Sequence, residues 1–253
     1  MTRKNILITG ASTGLGAGMA REFARMGRDL ALCARRLDLL EQLQEDLRRT
    51  APRVRIIVRQ LDVTDYDAVF AIFREFDEEL GGLDRVIVNA GRGAGKPLGT
   101  DGFDTNRKVV EVNVLGALAQ CEAAMGLFRE RRAGHLVMIS SLAAVRGFPR
   151  YRTTYAATKA GVAVLAEGLR IETLNSPISV STIYPAFIRS PLNEHRERKP
   201  FLTEAEKGCR LLARAIEREP ANATVPAWPW RPIGFALRHL PLGLAARMTE
   251  WFT

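Results

Sequence analysis

The chain contains few of the residues that build metal sites or disulfide frameworks. Its 253 residues include only three cysteines, Cys33, Cys121 and Cys209. The cysteines are odd in number and form no CxxC pair, which argues against a disulfide framework or a zinc site and fits a reducing compartment. The equally dispersed histidines are interpreted as structural or surface residues: His135, His195 and His239. We therefore expect no bound metal and a cytoplasmic location.

Long apolar runs are also missing. The sequence contains no run long enough to span a bilayer. Arg3 and Lys4 precede the apolar segment Ile6–Ile8, as basic residues do in a signal peptide. That apolar segment is too short for a signal peptide and leads directly into glycines, so we do not expect it to be cleaved off.

Clustered positive charge interleaved with aromatic residues is absent, although the formal net charge is +9. A nucleic-acid groove needs basic and aromatic side chains together. Here the cationic segments are scattered along the chain, as at Arg48–Arg49, Arg129–Arg132 and Arg196–Lys199. We interpret the charge as solvated helix faces plus a phosphate-binding cofactor site, and we expect no nucleic-acid partner.

Short β-rich runs alternate with helical stretches from the first residues onward. Apolar runs such as Val86–Val88 are typical of strands buried on both faces, which indicates a parallel sheet covered by helices. The helical segment Leu37–Arg49 has leucines at helical spacing. The pattern predicts one α/β domain over residues 1–253, a doubly wound parallel sheet in a three-layer α/β/α sandwich. Six strands are predicted at Asn5–Thr9, Asp29–Ala34, Val54–Gln60, Arg85–Asn89, His135–Ser140 and Ser179–Tyr184.

The tail, residues 221–253, differs in composition from the rest of the chain and is rich in Pro, Trp and Arg. We predict a last short strand near Ala223–Pro226 and two short helices separated by Pro241. Its mixture of large apolar and basic residues allows two interpretations. Packing against the core or a partner subunit is favoured over an amphipathic surface that covers a lipophilic substrate or rests on a membrane.

A glycine-rich segment follows the first predicted strand and opens the first helix. Glycines remove Cβ atoms, so the backbone can approach a pyrophosphate, and the helix N-terminus supplies free N–H groups. This placement predicts a Rossmann-type dinucleotide site. The same segment matches the G-x-S-x-G turn of α/β-hydrolases, but only one strand precedes it, so no earlier oxyanion loop is possible. The residues expected to bind the cofactor here are Gly10, Ser12, Thr13, Gly14, Leu15 and Gly16.

The end of the second strand indicates which dinucleotide is bound. An NAD site usually has an acidic residue there to bind the ribose 2′-hydroxyl. This chain has Arg35 and Arg36 instead. Two guanidinium groups suit a 2′-phosphate, because arginine binds phosphate through paired charge-assisted hydrogen bonds. NADP(H) is therefore the preferred cofactor, with NAD(H) as the alternative.

Further motifs follow in a fixed order along the chain. They are Asp62-Val63, Asn89-Ala90-Gly91, Asn113, Ser140-Ser141, Tyr155-Ala156-Ala157-Thr158-Lys159 and Tyr184-Pro185-Ala186-Phe187-Ile188-Arg189-Ser190. With the glycine-rich segment, this order resembles the short single-domain branch of the short-chain dehydrogenase/reductase family, over about residues 3–191. Two features depart from the family pattern. Ala186 replaces a glycine, and the interval from Ser141 to Tyr155 is one residue longer than usual.

The resemblance implies a role for each motif. Asn113, Ser141, Tyr155 and Lys159 would be catalytic, with Ser140 left as an alternative to Ser141. Ser141 would bind the substrate oxygen, and Asn113 would hold a water relay to Lys159. Lys159 would also bind the nicotinamide ribose. Further cofactor contacts would come from Asp62, Val63, Asn89, Ala90, Gly91, Tyr155, Pro185, Ile188 and Ser190.

Tyr155 and Lys159 are four residues apart and so share one face of a helix. A nearby ammonium favours phenolate, so we expect Lys159 and the oxidised cofactor to lower the pKa of Tyr155. The sequence therefore predicts an NADP(H)-dependent oxidoreductase acting on a carbonyl or secondary alcohol. The alternative is a dinucleotide-binding sensor or scaffold without turnover.

The family also implies a homodimer or homotetramer, with contacts through the helices that contain Asn113 and Tyr155. The substrate would be a small molecule, with a lipophilic one as an option. We expect two mobile loops around it, residues 92–96 and 191–200, the second a candidate lid.

Overall fold

The computed structural model of the chain describes residues 3–93, 95–191 and 201–251. Seven strands form one sheet with the spatial order β3-β2-β1-β4-β5-β6-β7, and every neighbouring pair is parallel. The order reverses between β1 and β4, as in a doubly wound sheet. The strands are β1 Asn5–Thr9, β2 Asp29–Ala34, β3 Ile56–Gln60, β4 Arg85–Val88, β5 Gly134–Ile139, β6 Ile178–Pro185 and β7 Asn222–Val225.

Helices connect the strands and cover both faces of the sheet. One apolar core lies between the sheet and α1, α2 and α7, and a second lies between the sheet and α3, α5 and α6. Among the described helices, none is both long and apolar enough to cross a membrane. The helices are α1 Gly14–Arg25, α2 Leu37–Thr50, α3 Tyr66–Leu80, α4 Phe103–Val110, α5 Gly116–Arg131, α6 Thr153–Glu172, α7 Ala205–Glu217, α8 Trp230–His239 and α9 Leu242–Trp251.

The predicted three-layer α/β/α fold with a parallel Rossmann-type sheet is confirmed, with small corrections at strand ends. β3 begins at Ile56 rather than Val54. The Val54 amide donates a hydrogen bond to the Ala51 carbonyl within a turn, and the Arg55 amide donates to the Asp29 carboxylate. β4 ends one residue before Asn89, whose amide donates to the Thr9 side chain instead of continuing the ladder.

The tail contributes the edge strand β7 and the two helices on either side of Pro241. The indole of Trp230, on α8, is fully buried and meets the Phe187 ring edge-on at a centroid distance of 4.9 Å. Leu237 is buried in the same cluster. The tail therefore packs on the segment that follows β6. Large apolar side chains also remain exposed on it, including Trp228, Phe235 and Leu242.

A buried polar network lies at the amino-terminal edge of the sheet, away from the strand ends that carry the sequence motifs. The Arg85 Nε donates to His135 Nδ1 at 2.8 Å, and His135 Nε2 lies 2.8 Å from Ser181 Oγ. Glu217 and Glu219 pair with Arg85. Burial, followed by the Arg85 charge, lowers the pKa of His135 to about 3, so the imidazole is neutral. His135 is thus a buried structural residue.

Candidate active site

A cleft of about 470 Å³ opens at the carboxyl-terminal ends of β1, β2, β4, β5 and β6. In open α/β sheets, ligands bind at this edge, where the strand order reverses. The cleft brings together almost every site residue predicted from the sequence, although these residues are spread between positions 10 and 190 of the chain. These are Gly10, Ser12, Thr13, Gly14, Leu15, Gly16, Arg35, Arg36, Asp62, Val63, Asn89, Ala90, Gly91, Ser140, Ser141, Tyr155, Lys159, Pro185, Ile188 and Ser190.

The glycine-rich turn is packed too tightly for side chains. A Cβ on Gly16 would lie 2.4 Å from the Gly10 carbonyl oxygen, and one on Gly10 would lie 2.8 Å from the Ala90 Cα. Gly14 has a φ of +60°, which favours glycine. The N-cap Thr13 makes no side-chain capping bond within the described part of the chain, and the first turn of α1 has no acidic residue. The turn can therefore hold an anion against the N–H groups of α1.

The basic residues after β2 contact this turn. Arg36 Nη2 lies 2.9 Å from Thr13 Oγ1 and 3.5 Å from Ser12 Oγ. The carbonyl of Arg35 accepts a hydrogen bond from Gln60 at the end of β3. Both arginines line the cleft beside the turn, where a phosphate group of a ligand could reach them.

The segment after β4 forms the floor of the cleft. Asn89 Nδ2 donates to the Thr9 carbonyl at 2.8 Å, which ties the end of β4 to the end of β1. A Cβ on Gly91 would lie 3.4 Å from Asn113 Oδ1 and 3.5 Å from Lys159 Nζ, so the chain passes close to both side chains. Asp62 accepts bonds from the Thr64 amide and hydroxyl, which fixes its carboxylate at the cleft wall.

The geometry distinguishes Ser140 from Ser141. Ser140 Oγ is buried and donates to the Lys159 carbonyl at 2.7 Å. Ser141 forms a side-chain hydrogen bond with Tyr155, and its Oγ also accepts from the Ala143 amide at 3.1 Å. Ser141, and not Ser140, is therefore the hydroxyl beside the phenol.

The electrostatics of Tyr155 differ from the sequence expectation. Burial raises its pKa, while the Ser141 hydrogen bond and the Arg152 charge lower it in part. The sequence predicts that the Lys159 ammonium lowers the pKa of Tyr155. Instead its Nζ donates to the Ile139 carbonyl at 2.8 Å, and burial lowers the pKa of Lys159 to about 8. In this structure the charge that lowers the pKa of Tyr155 is that of Arg152, which is not among the residues predicted from the sequence.

Asn113 lies behind the cleft wall rather than in it. It sits in a π-helical turn, Glu111–Leu115, between α4 and α5. Such turns often occur at functional sites. Its Oδ1 accepts from the Arg92 amide at 2.7 Å, and its Nδ2 donates to the Arg92 carbonyl at 3.0 Å and to Thr158 Oγ1 at 3.1 Å. Asn113 thus holds the loop after β4 against α6.

Several cleft residues were missed from the sequence. Tyr151 and Arg152 lie four and three residues before Tyr155, so the helical spacing that linked Tyr155 to Lys159 could also have indicated them. The 184–190 motif includes Phe187 but indicates no contact for it, since its position depends on the distant Trp230. Val112 was also missed, whereas Arg92 lies in the predicted substrate loop 92–96 and Ala186 in the 184–190 motif. Of the two predicted loops, Ala94 and residues 192–200 lie outside the described residues.

A comparison with known families gives the family of the chain. A profile of the family described as short chain dehydrogenase matches residues 4–200. The chain belongs to the short-chain dehydrogenase family. As a member of that family it is an oxidoreductase. The match covers all the strands from β1 to β6 and every residue predicted for the site.

This short-chain dehydrogenase has similar relatives of nearly equal length. It is 47% identical to an uncharacterized oxidoreductase of Mycobacterium tuberculosis, over 98% of both chains. It is 26% identical to a solved short-chain dehydrogenase from Sphingobium yanoikuyae in complex with NADPH, with a TM-score of 0.79 and coverage of 94% and 97%. It also shares its fold with a family member from Burkholderia phymatum in complex with NAD, at 23% identity, a TM-score of 0.83 and coverage of 96% and 95%.

Proposed function

We propose that this protein is an NADP(H)-dependent oxidoreductase that transfers a hydride between the nicotinamide and a carbonyl or secondary alcohol, with Tyr155 as proton donor or acceptor. The observation that carries the proposal is the pairing of two half-sites in one cleft. One is an anion-binding glycine turn beside two arginines, and the other is a phenol hydrogen-bonded to Ser141.

The residues present fit a dinucleotide. The turn at Gly10 and Gly16 leaves no room for side chains, as required where a backbone contacts a pyrophosphate. Arg35 and Arg36 would hold the ribose 2′-phosphate, and Asp62 and Val63 would contact the adenine. Lys159 would bind the nicotinamide ribose, with Pro185, Ile188 and Ser190 beside the ring. When bound, the nicotinamide supplies or accepts the hydride.

The protein's own part in the reaction is to hold and move one proton. In the reductive direction the Tyr155 hydroxyl donates its proton to the substrate oxygen, and the Ser141 hydroxyl orients that oxygen. The phenolate left behind is stabilised by the nearby Arg152 charge. Asn113, which holds the loop at Arg92, would keep a proton path from Lys159 to solvent.

The preference for NADP(H) over NAD(H) rests on the two arginines after β2. An acidic residue suited to a ribose 2′-hydroxyl is missing from that position, and Arg36 is already oriented toward the turn by Thr13. The relative from Sphingobium yanoikuyae binds NADPH. NAD(H) stays the alternative.

The test is thermal unfolding of the protein with NADPH and with NADH, followed by turnover of a panel of ketones and aldehydes with the better cofactor. We expect a larger stabilisation by NADPH and oxidation of NADPH with at least one carbonyl compound. Equal stabilisation by both cofactors would contradict the assignment of Arg35 and Arg36. Absence of stabilisation by either would contradict the proposed function.

A homodimer or homotetramer remains our expectation for assembly. Two helices carry exposed apolar side chains that could form the contact. They are α5, which follows Asn113 and has Leu118 at 45% exposure, and α6, which contains Tyr155 and has Val164 at 67% exposure. Sedimentation velocity tests this, and a purely monomeric species at micromolar concentration would contradict it. A cytoplasmic location likewise stays a prediction.

Contact of the tail with a membrane is the less favoured interpretation and also stays a prediction. Because Trp230 is buried, deletion of the tail would damage the fold. Replacing the exposed Phe235 and Leu242 by serine tests the idea instead, by co-sedimentation with anionic liposomes. Equal pelleting of the wild type and the serine variant would contradict contact of the tail with a membrane.

A further inference from the structure

Arg152 lies in the cleft next to the proposed proton donor. It ends a 3₁₀ turn, Arg150–Arg152, that leads into α6. Because it precedes Tyr155 by three residues, it lies on the same side of the chain as the phenol. It lines the cleft together with Tyr151 and Phe187. Its guanidinium is therefore available to a molecule bound beside Tyr155.

The surroundings of Arg152 are aromatic. Its Cζ lies 6.0 Å from the centroid of the Tyr151 ring and 6.0 Å from that of Phe187. At this distance the rings attract the guanidinium through cation–π interactions and leave its N–H donors for another group. No carboxylate of the described residues acts on Arg152: burial lowers its pKa, and the Tyr155 phenol raises it in part. A half-buried cation of this kind is stabilised by an anion.

The charges along the cleft divide into two regions. At the cofactor end Arg35 and Arg36 lie near Asp62, which is the one acidic side chain among the described lining residues. The other charged lining residues in the described ranges are all cationic: Arg92, Arg152 and Lys159. Since Lys159 already donates to the Ile139 carbonyl, Arg152 and the exposed Arg92 remain for the substrate.

We infer that Arg152 binds a carboxylate of the substrate, so that the preferred substrates are oxo acids in the reductive direction and hydroxy acids in the reverse. The inference rests on the proposed function, because it places the carboxylate relative to a carbonyl at Tyr155. A planar guanidinium can bind a carboxylate through two parallel hydrogen bonds, which fixes the orientation of the molecule as well as its position.

Binding to the NADP⁺-loaded protein tests the inference without turnover, because no hydride is available to a ketone in that complex. The ligands are 2-oxobutanoate, 3-oxobutanoate and 4-oxopentanoate, each compared with its methyl ester by isothermal titration. The variants are Arg152→Gln, Arg152→Lys and, as a matched control, Arg150→Gln, since Arg150 is exposed and outside the cleft lining. Thermal unfolding and NADP⁺ affinity establish that each variant is folded.

We expect at least one acid to bind about tenfold or more tightly than its ester, as charge-assisted hydrogen bonds require. Arg152→Gln should remove that difference while leaving ester and NADP⁺ affinity unchanged. Arg152→Lys should keep part of the difference in affinity between acid and ester, and Arg150→Gln should keep all of it. Equal binding of acids and esters, no binding of either, or an equal loss for both in Arg152→Gln would overturn the inference. Failure of NADP⁺ itself to bind would instead overturn the proposed function.

Discussion

Arg36 Nη2 donates to Thr13 Oγ1 at 2.9 Å, which joins the residue that follows β2 to the glycine turn that follows β1. The two segments are 23 residues apart in the chain. Because the hydrogen bond fixes the guanidinium at the turn, a dinucleotide phosphate bound there would meet a positive charge already in position. This contact links the proposed cofactor preference to a specific pair of side chains.

Arg36→Gln should weaken NADPH binding far more than NADH binding. Loss of a charge-assisted contact to a 2′-phosphate costs about 1.5–3 kcal/mol, or roughly 10–100-fold in Kd. NADH has no such phosphate, so its Kd should change by less than about threefold. Titration calorimetry measures both. Arg48→Gln, on the exposed side of α2, is the control and should change neither Kd. An equal loss for the two cofactors would contradict the assignment.

Gly16→Ala should abolish dinucleotide binding and destabilise the fold. The new Cβ would lie 2.4 Å from the Gly10 oxygen and 2.8 Å from Asn89 Nδ2, so the turn must move. Gly126→Ala is the control, because Gly126 is exposed on α5 and a Cβ there would meet no atom of the described residues within 4 Å. It should stabilise by about 0.5–1 kcal/mol. Thermal unfolding with and without NADPH compares the two. Unimpaired NADPH binding by Gly16→Ala would argue against the turn as the cofactor site.

Lys159→Met should lose activity and gain stability at neutral pH. Burial lowers the pKa of Lys159 from 10.5 to about 8, so the ammonium is less favourable in the folded chain than in the unfolded one. Both states are protonated below about pH 8, where that cost is complete, and it disappears as the pH rises toward 10.5. The variant also loses the hydrogen bond to the Ile139 carbonyl, so we expect its free energy of unfolding to rise by about 1–2 kcal/mol at pH 7. The gain should shrink at pH 9.5. Urea unfolding at both values checks this, and lower stability at pH 7 would contradict it.

Acid should destabilise the protein through His135. Its folded pKa is about 3 against an ordinary 6.5, so folding favours the neutral ring, and stability falls as the pH drops below 6.5. At pH 5 the loss is about 2 kcal/mol. Glu219, whose pKa is lowered to about 2, adds a further loss only below about pH 4.5.

His135→Gln should flatten the dependence of unfolding free energy on pH between 6.5 and 5, since glutamine does not titrate. The exposed His239→Gln should retain the wild-type slope. Denaturant unfolding across this pH range measures all three proteins. An unchanged slope in His135→Gln would show that other groups govern the acid sensitivity.

Much of the fold follows from patterns that are local in the chain. The apolar run Val86–Val88 predicts a strand covered on both faces, and β4 is buried along its whole length. The glycine spacing between β1 and α1 similarly identifies the turn, because close backbone packing leaves no room for a Cβ at Gly10 or Gly16, and Gly10 also has a φ of +63°. Tyr155 and Lys159 are found by the same reasoning, since a helix aligns residues four apart.

The features that could not be predicted depend on contacts between distant segments. The family resemblance names Asn113, but its π-helical turn leaves no mark in the apolar pattern, and its partners are in the loop at Arg92 and in α6. Phe187 is positioned by Trp230, which lies beyond β7. The cation acting on Tyr155 is Arg152 rather than Lys159, because Lys159 reaches the Ile139 carbonyl at the end of β5.

Tyr155→Phe shows whether Tyr155 donates the proton, when it is assayed with a carbonyl compound that the wild-type protein reduces. We expect kcat to fall by about 10²–10⁴-fold, with the Kd for NADPH unchanged within about threefold. Tyr66→Phe, on an exposed tyrosine at the start of α3, should leave both values unchanged. Turnover by Tyr155→Phe within about threefold of wild type would show that Tyr155 is not the proton donor.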